Sequence, residues 1–289
     1  MKKVILFGAG AFGQKWIFNA PEDVCVLAIA DNNSHKQYLC GLNIIKPHDI
    51  VNYDYDSIII CLNDYTNLDA FSAMDSIIEQ LLSLGIPYEK IELQNIYYDQ
   101  DDRRIIFLKE YSKYVKKHNL EGAVAECGVM RGHFAHYINS FFDDKIFYMF
   151  DTFSGLDQRD IKKEHQDIQQ YMRTRGNLFL RHGNENISLM RCPNKHNVII
   201  KKGFVPDVFQ EIEDRKFCFV NLDMDLYAPT KAALKFFSDK IVKGGVILCH
   251  DYYNLTFPGI KDAVEEFALK SSFLKIPVGD NCMAFIALD

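Results

Sequence analysis

Apolar residues arrive along this chain in strand-sized runs, separated by stretches where they recur every three or four positions. KKVILFG is a continuous apolar run that reads as a buried strand, and AFGQKWIFNA after it as the start of a helix. VCVLAIAD is a second strand and YDSIIICLN a later buried one, while MDSIIEQLLSLG has helical spacing and ends on a glycine stop. Further on, RRIIFLKEYSKYVKKH reads as a helix, GAVAECG as a strand entering a glycine loop, and HFAHYINSFF as the helix that follows. KIFYMFD, NVIIKKG, KFCFVNLD and GGVILCHD are strands, and APTKAALKFFSDKIVKG and GIKDAVEEFALKSS are helices. Strands alternating with helices predict parallel α/β sheets, whose ligands bind beyond the carboxyl ends of the strands.

Charge divides this pattern in two. Residues 1–100 carry 6 Lys, no Arg and 13 acids, a net of -7, whereas residues 101–289 net +1. The polar stretch IYYDQDDRR around 97–104 separates them, so the chain reads as two Rossmann-like doubly wound domains, 1–100 and 101–289. At 48% hydrophobic and 25% charged it is a folded protein with ample core, and its overall charge of -6 gives no reason to expect nucleic acid as a partner. No apolar run approaches the roughly 20 residues of a membrane span. The eight cysteines come no closer than 15 residues, which excludes CxxC metal and redox motifs and predicts reduced, cytoplasmic thiols.

Each half opens a glycine loop between a strand and a helix, and the two loops differ. Gly8, Gly10 and Gly13 form GxGxxG, with Asp31 at the end of the second strand, 18 residues after Gly13. This spacing suits a nucleotide or NAD, with Asp31 on a ribose hydroxyl. A loop that has lost its nucleotide reads the same way, and the half shows no Tyr-xxx-Lys base. The second loop, Glu126-Cys127-Gly128-Val129-Met130-Arg131-Gly132, puts an acid before its glycines. An acid there repels a pyrophosphate and suits a cationic or zwitterionic ligand such as S-adenosyl-L-methionine, with Asp151 at the end of the next strand on its ribose. In FVNLDMDLY the period of two puts Asp223 and Asp225 on one face. Two adjacent carboxylates are costly at the end of an apolar strand unless they do chemistry or cap a helix.

In order and spacing, ECGVMRG, FDTFSGL, KKGFVPD, NLDMDLYAPTKAAL, GGVILCHDYY and PGIKDAVEEF resemble the macrolide-sugar O-methyltransferases of the TylF/MycF type over about residues 105–289. The resemblance implies a class I methyltransferase fold, S-adenosyl-L-methionine as donor and magnesium-assisted transfer to a sugar hydroxyl. It places Glu126, Cys127, Gly128, Gly132, His133, Asp151, Thr152 and Phe153 at the donor. Asp223 and Asp251 become metal ligands and Asp225 the base, against the alternative that Asp225 caps the helix at Ala228-Pro229. His250 stands where the family usually has an acid. Imidazole is a poor magnesium ligand, so the metal has fewer carboxylates, is a transition metal, or is absent with His250 as base. The first half resembles domains attached to bacterial surface-polysaccharide enzymes.

The expected acceptor is a sugar, nucleotide-sugar or lipid-linked glycan, in capsule, O-antigen or glycosylated-metabolite synthesis, with a homo-oligomer plausible from the long helices. The charged stretch 157–197 reads as a solvated insertion or as a lid whose Arg173, Arg175 and Arg181 clamp a phosphate. Two rivals remain: an NAD-dependent nucleotide-sugar oxidoreductase or epimerase run from the first half, and a non-catalytic sugar- or nucleotide-binding subunit.

Overall fold

A computed structural model describes residues 1–33, 35, 37–62, 68–93, 102–164, 166–175, 184–268 and 272–288, without the side chains of 68–71 and 171–175. The chain forms two compact units, Met1–Tyr98 and Asp99–Asp289. The polar segment expected to mark their boundary lies largely outside the described residues.

In the first unit, strands β1 (Lys2–Phe7), β2 (Val24–Ala30), β4 (Leu42–Ile45), β5 (Ser57–Ile60) and β6 (Ile91–Leu93) run parallel. A short antiparallel strand, β3 (Tyr38–Leu39), extends the sheet, whose order is β3-β4-β2-β1-β5-β6. Helix α1 (Ala11–Phe18) follows β1 and α2 (Leu68–Ser83) follows β5. Val4, Leu6, Ile29 and Ile59 pack around Trp16, the side chain that anchors α1.

The second unit begins with α3 (Arg103–His118), followed by β7 (Ala123–Cys127), α4 (His133–Phe141) and β8 (Phe147–Asp151). Then come α5 (Gln158–Ile161), α6 (Gln166–Arg175), α7 (Glu185–Arg191), β9 (Val198–Lys202), β10 (Phe217–Leu222) and α8 (Tyr227–Ser238). β11 (Ile241–Cys249), α9 (Pro258–Ala268), β12 (Phe273–Gly279) and β13 (Cys282–Ala287) complete it. Its sheet runs β12-β13-β11-β10-β7-β8-β9, with β13 antiparallel between β12 and β11. Every residue of β7 and β10 is buried, as a parallel strand covered on both faces requires. The order reverses between β7 and β10, and the crevice at their carboxyl ends is where a doubly wound sheet takes its ligand.

Two sequence expectations change. The helix expected over APTKAALKFFSDKIVKG stops at Ser238, because Ile241 already pairs with Phe217 as the first residue of β11. The final hairpin, β12–β13, was not anticipated. It turns through Asp280 and Asn281, both with positive φ, as a two-residue hairpin turn demands. Among the described residues no helix is long and apolar enough to cross a membrane.

Candidate functional site

The carboxyl ends of β7, β8, β10 and β11 converge, and each is followed by a non-glycine residue in the left-handed region: Met130 (φ 53°), Phe153 (φ 50°), Asp225 (φ 62°) and Asp251 (φ 57°). Such residues cost roughly 1 kcal/mol or more each and cluster where function holds them.

The loop after β7 is braced by Asp151. Its Oδ2 accepts the Met130 amide at 2.7 Å and its Oδ1 the Phe153 amide at 2.7 Å. Burial pushes its carboxyl up, against those amides, which favour the charged form. Gly128 makes the loop possible: at φ +86° a Cβ there would lie 1.8 Å from the Asp223 carbonyl oxygen. Thr152 Oγ1 donates to the Gly155 carbonyl at 2.6 Å, Phe153 is buried, and Gly132 starts α4 with Ser188 packed on it. His133 opens α4, and its neighbour one turn on, His136, is a packing residue whose Nδ1 lies 2.7 Å from the Arg191 carbonyl.

Two of the residues expected at the donor, Cys127 and Glu126, lie in the core. Burial pushes the Cys127 thiol up. Glu126 shifts in the same direction. Burial, then the Asp223 charge, hold it well above the usual carboxylate range, against Arg104 and Asn221. Its Oε1 accepts from Asn221 Nδ2 at 3.0 Å on the neighbouring strand. Glu126 Oε2 and Asn221 Oδ1 have no hydrogen-bond partner among the described residues, a costly state that a ligand's donors would relieve.

Across the crevice, His250 Nδ1 sits between two carboxylates, 2.9 Å from Asp223 Oδ1 and 3.0 Å from Asp251 Oδ2. Arg104, from the first turn of α3, puts Nη1 3.3 Å from Asp223 Oδ2, and Asn254 Nδ2 donates to Asp251 Oδ1 at 2.9 Å. Burial alone would lower the His250 pKa, but Asp223 and Asp251 outweigh it and push it up to about 10. The two carboxylates thus favour the imidazolium form of His250. Burial would raise Asp251, yet His250, Asn254 and Asp225 hold it below the usual range. Asp225 goes the other way: burial, then the Asp223 and Asp251 charges, push its carboxyl well above the usual range, and it donates to Asp251. The carboxyl expected as the base thus lies against Asp251, and it does not cap α8: the first amide of that helix, Tyr227 N, is taken at 2.7 Å by Glu164.

His250 holds its proton more tightly folded than its ordinary 6.5 allows. That contribution to stability is complete below about pH 6.5 and is lost as pH rises toward 10. Calorimetric melting temperatures should fall more steeply between pH 7 and 9.5 for the native protein than for His250→Asn; parallel curves would contradict this.

Asp223, His250 and Asp251 bring three ligand atoms within 4.8 Å of one another, among the described residues. The donor set nevertheless does not fit magnesium, which takes oxygens in near-octahedral array. One donor is an imidazole nitrogen, and all four carboxylate oxygens already face protein donors.

In the first unit Asp31 repeats the bracing pattern: Oδ2 accepts the Ala9 amide and Oδ1 the Asn33 amide, each at 2.6 Å. Gly13 closes that loop, since a Cβ there would lie 2.1 Å from the Gly8 oxygen, whereas a Cβ on Gly10 would meet nothing within 4 Å. Arg181 lies outside the described residues, as do the side chains of Arg173 and Arg175. Sequence reasoning missed Arg104, Asn221, Asn254 and Glu164. Asn221 had a signal, since period two puts it on the face of Asp223.

A seven-stranded sheet of this order, with its ligand loop and carboxylates at the switch point, defines a class I S-adenosylmethionine-dependent methyltransferase. Residues 97–279 match the family model described as macrocin O-methyltransferase (TylF), and the chain belongs to that family, which makes it an O-methyltransferase. Residues 1–92 match the model of a C2185-like N-terminal domain. The O-methyltransferase NovP shares the fold at 20% identity and a TM-score of 0.55, over 65% of this chain and 80% of its own. CalS11, a calicheamicin methyltransferase, is 15% identical with a TM-score of 0.48, over 78% of this chain and 95% of its own. No curated protein matches the chain at a significant level.

Proposed function

We propose that the second unit methylates a sugar hydroxyl, free or carried on a nucleotide or lipid, in cytoplasmic synthesis of a bacterial surface polysaccharide or glycosylated metabolite. Membership of the macrocin O-methyltransferase family supports the sugar acceptor. The observation that carries the chemistry is the place of Asp223, one-quarter exposed at the switch point and flanked by Arg104 and His250.

Asp151 and the loop from Glu126 to Gly132 hold the donor, with Glu126 and Asn221 offering two buried acceptors to its ammonium. Bound S-adenosylmethionine supplies a methyl on a sulfonium, which the acceptor oxygen displaces in line as the new O–CH3 bond forms and the S–CH3 bond breaks. The hydroxyl proton passes to Asp223, and S-adenosylhomocysteine leaves. His250 and Arg104 hold Asp223 in place from two sides, and Asp225, donating to Asp251, steadies that carboxylate. Alignment of hydroxyl, methyl and carboxylate supplies most of the rate.

Calorimetric titration with S-adenosylhomocysteine tests the reading. Micromolar binding is expected, equal with magnesium and with EDTA, and weaker by about 100-fold or more in Asp151→Ala, which loses a ribose partner and two loop hydrogen bonds. No binding under either condition would sink it.

A further inference from the structure

A pair of carboxylates at a strand edge needs positive charge nearby, and in this chain a side chain already occupies that place. Arg104 is 6% exposed, an unusual position for an arginine, which is almost never buried unless paired. Its guanidinium lies 4.3 Å over the Phe134 ring and its Nη1 3.3 Å from Asp223 Oδ2. The helix that carries it is held at its start from two sides. Asp102 caps it through the Ile105 amide at 3.1 Å, and Asp280, from the tip of the β12–β13 hairpin, accepts the Arg103 and Arg104 amides. The planar, permanently charged group is thus fixed by stacking, by the helix start and by its acid.

We infer that Arg104 is a positioning residue which takes the place of a divalent cation: it fixes Asp223 for the acceptor proton and closes the carboxylate cluster to metal. The inference deepens the methyltransferase reading, since Asp223 is that reading's reacting carboxylate. It follows from the donor set. Asp223 spends one oxygen on Arg104 and the other on His250, so a cation entering between Asp223 and Asp251 has to displace His250 and meets the Arg104 charge on the far Asp223 oxygen. A guanidinium cannot give up its charge to make room.

Binding of Mn2+ to the full chain, followed by the electron paramagnetic resonance signal of the free ion, tests this without an acceptor. The native protein should show no site tighter than about 1 mM that Asp223→Asn removes. Arg104→Met should gain a site at least tenfold tighter, and Arg104→Met with Asp223→Asn should lose it again. A purely structural Arg104 would not yield a new cation site on removal. If the methionine variant does not fold, Arg104→Gln keeps a planar polar group over Phe134 and serves in its place. Micromolar Mn2+ binding by the native protein, abolished by Asp223→Asn, would overturn the inference, as would a neutral Arg104 variant that binds no tighter than the native chain. S-adenosylhomocysteine titrations on the same samples report separately: their failure removes the methyltransferase reading, while the Mn2+ result stands or falls on its own.

Discussion

Asp223→Asn should lower methyl transfer by about a thousandfold, within the range general-base removal gives, while S-adenosylhomocysteine binds as before. The amide keeps the shape of the carboxylate and an oxygen for Arg104, but it cannot take the hydroxyl proton. Asp225→Asn is the control that assigns the role. Asp225, its carboxyl pushed well up by burial and the Asp223 charge, donates to Asp251, and an amide can donate in its place. A loss of about tenfold is expected there from disturbed geometry. Product release from labelled donor, over a panel of free and nucleotide-linked sugars, measures both. A larger loss at Asp225 than at Asp223 would return the base to Asp225.

Gly128→Ala should destabilise the second unit by roughly 3–5 kcal/mol, the scale of the severest single substitutions. Two penalties combine: the left-handed φ of +86°, and a Cβ 1.8 Å from the Asp223 oxygen on the neighbouring strand end. Neither can relax without separating β7 from β10, which would also dismantle the site. Gly10→Ala in the first unit should leave stability almost unchanged, because its φ is -85° and a Cβ there meets nothing. Thermal unfolding of the two variants gives the comparison, and a mild effect at Gly128 would mean that the crossing of the strand ends is looser than the structure has it.

Both glycine loops, and the acids that end β2 and β8, could be read from the chain because local pattern alone specifies them: an apolar run, glycines, a helix, and an acid after the next run. The glycine loop after β7 was legible for that reason, whereas the Asp223/His250/Asp251 cluster came from the resemblance to a family. What was not legible depends on groups distant in sequence. The upward shift of Asp225 comes from burial and from two neighbouring charges, neither of which a strand pattern contains. The cap of α8 comes from Glu164, 63 residues earlier. The boundary between α8 and β11 failed for a local reason: APTKAALKFFSDKIVKG keeps helical spacing through its end, and pairing of Ile241 with Phe217 overrides it. Arg104 carried only a faint signal, a charged residue on a helix whose other side packs into the sheet.

The pinning of α3 by Asp280 also sets an order of events during synthesis. Arg103 and Asp280 are 177 residues apart, so the helix start waits for nearly the whole second unit to be made. At about 5–20 residues per second that wait is roughly 9–35 s. Until the last hairpin closes, the start of α3 has the local cap from Asp102 but lacks its second hold from Asp280.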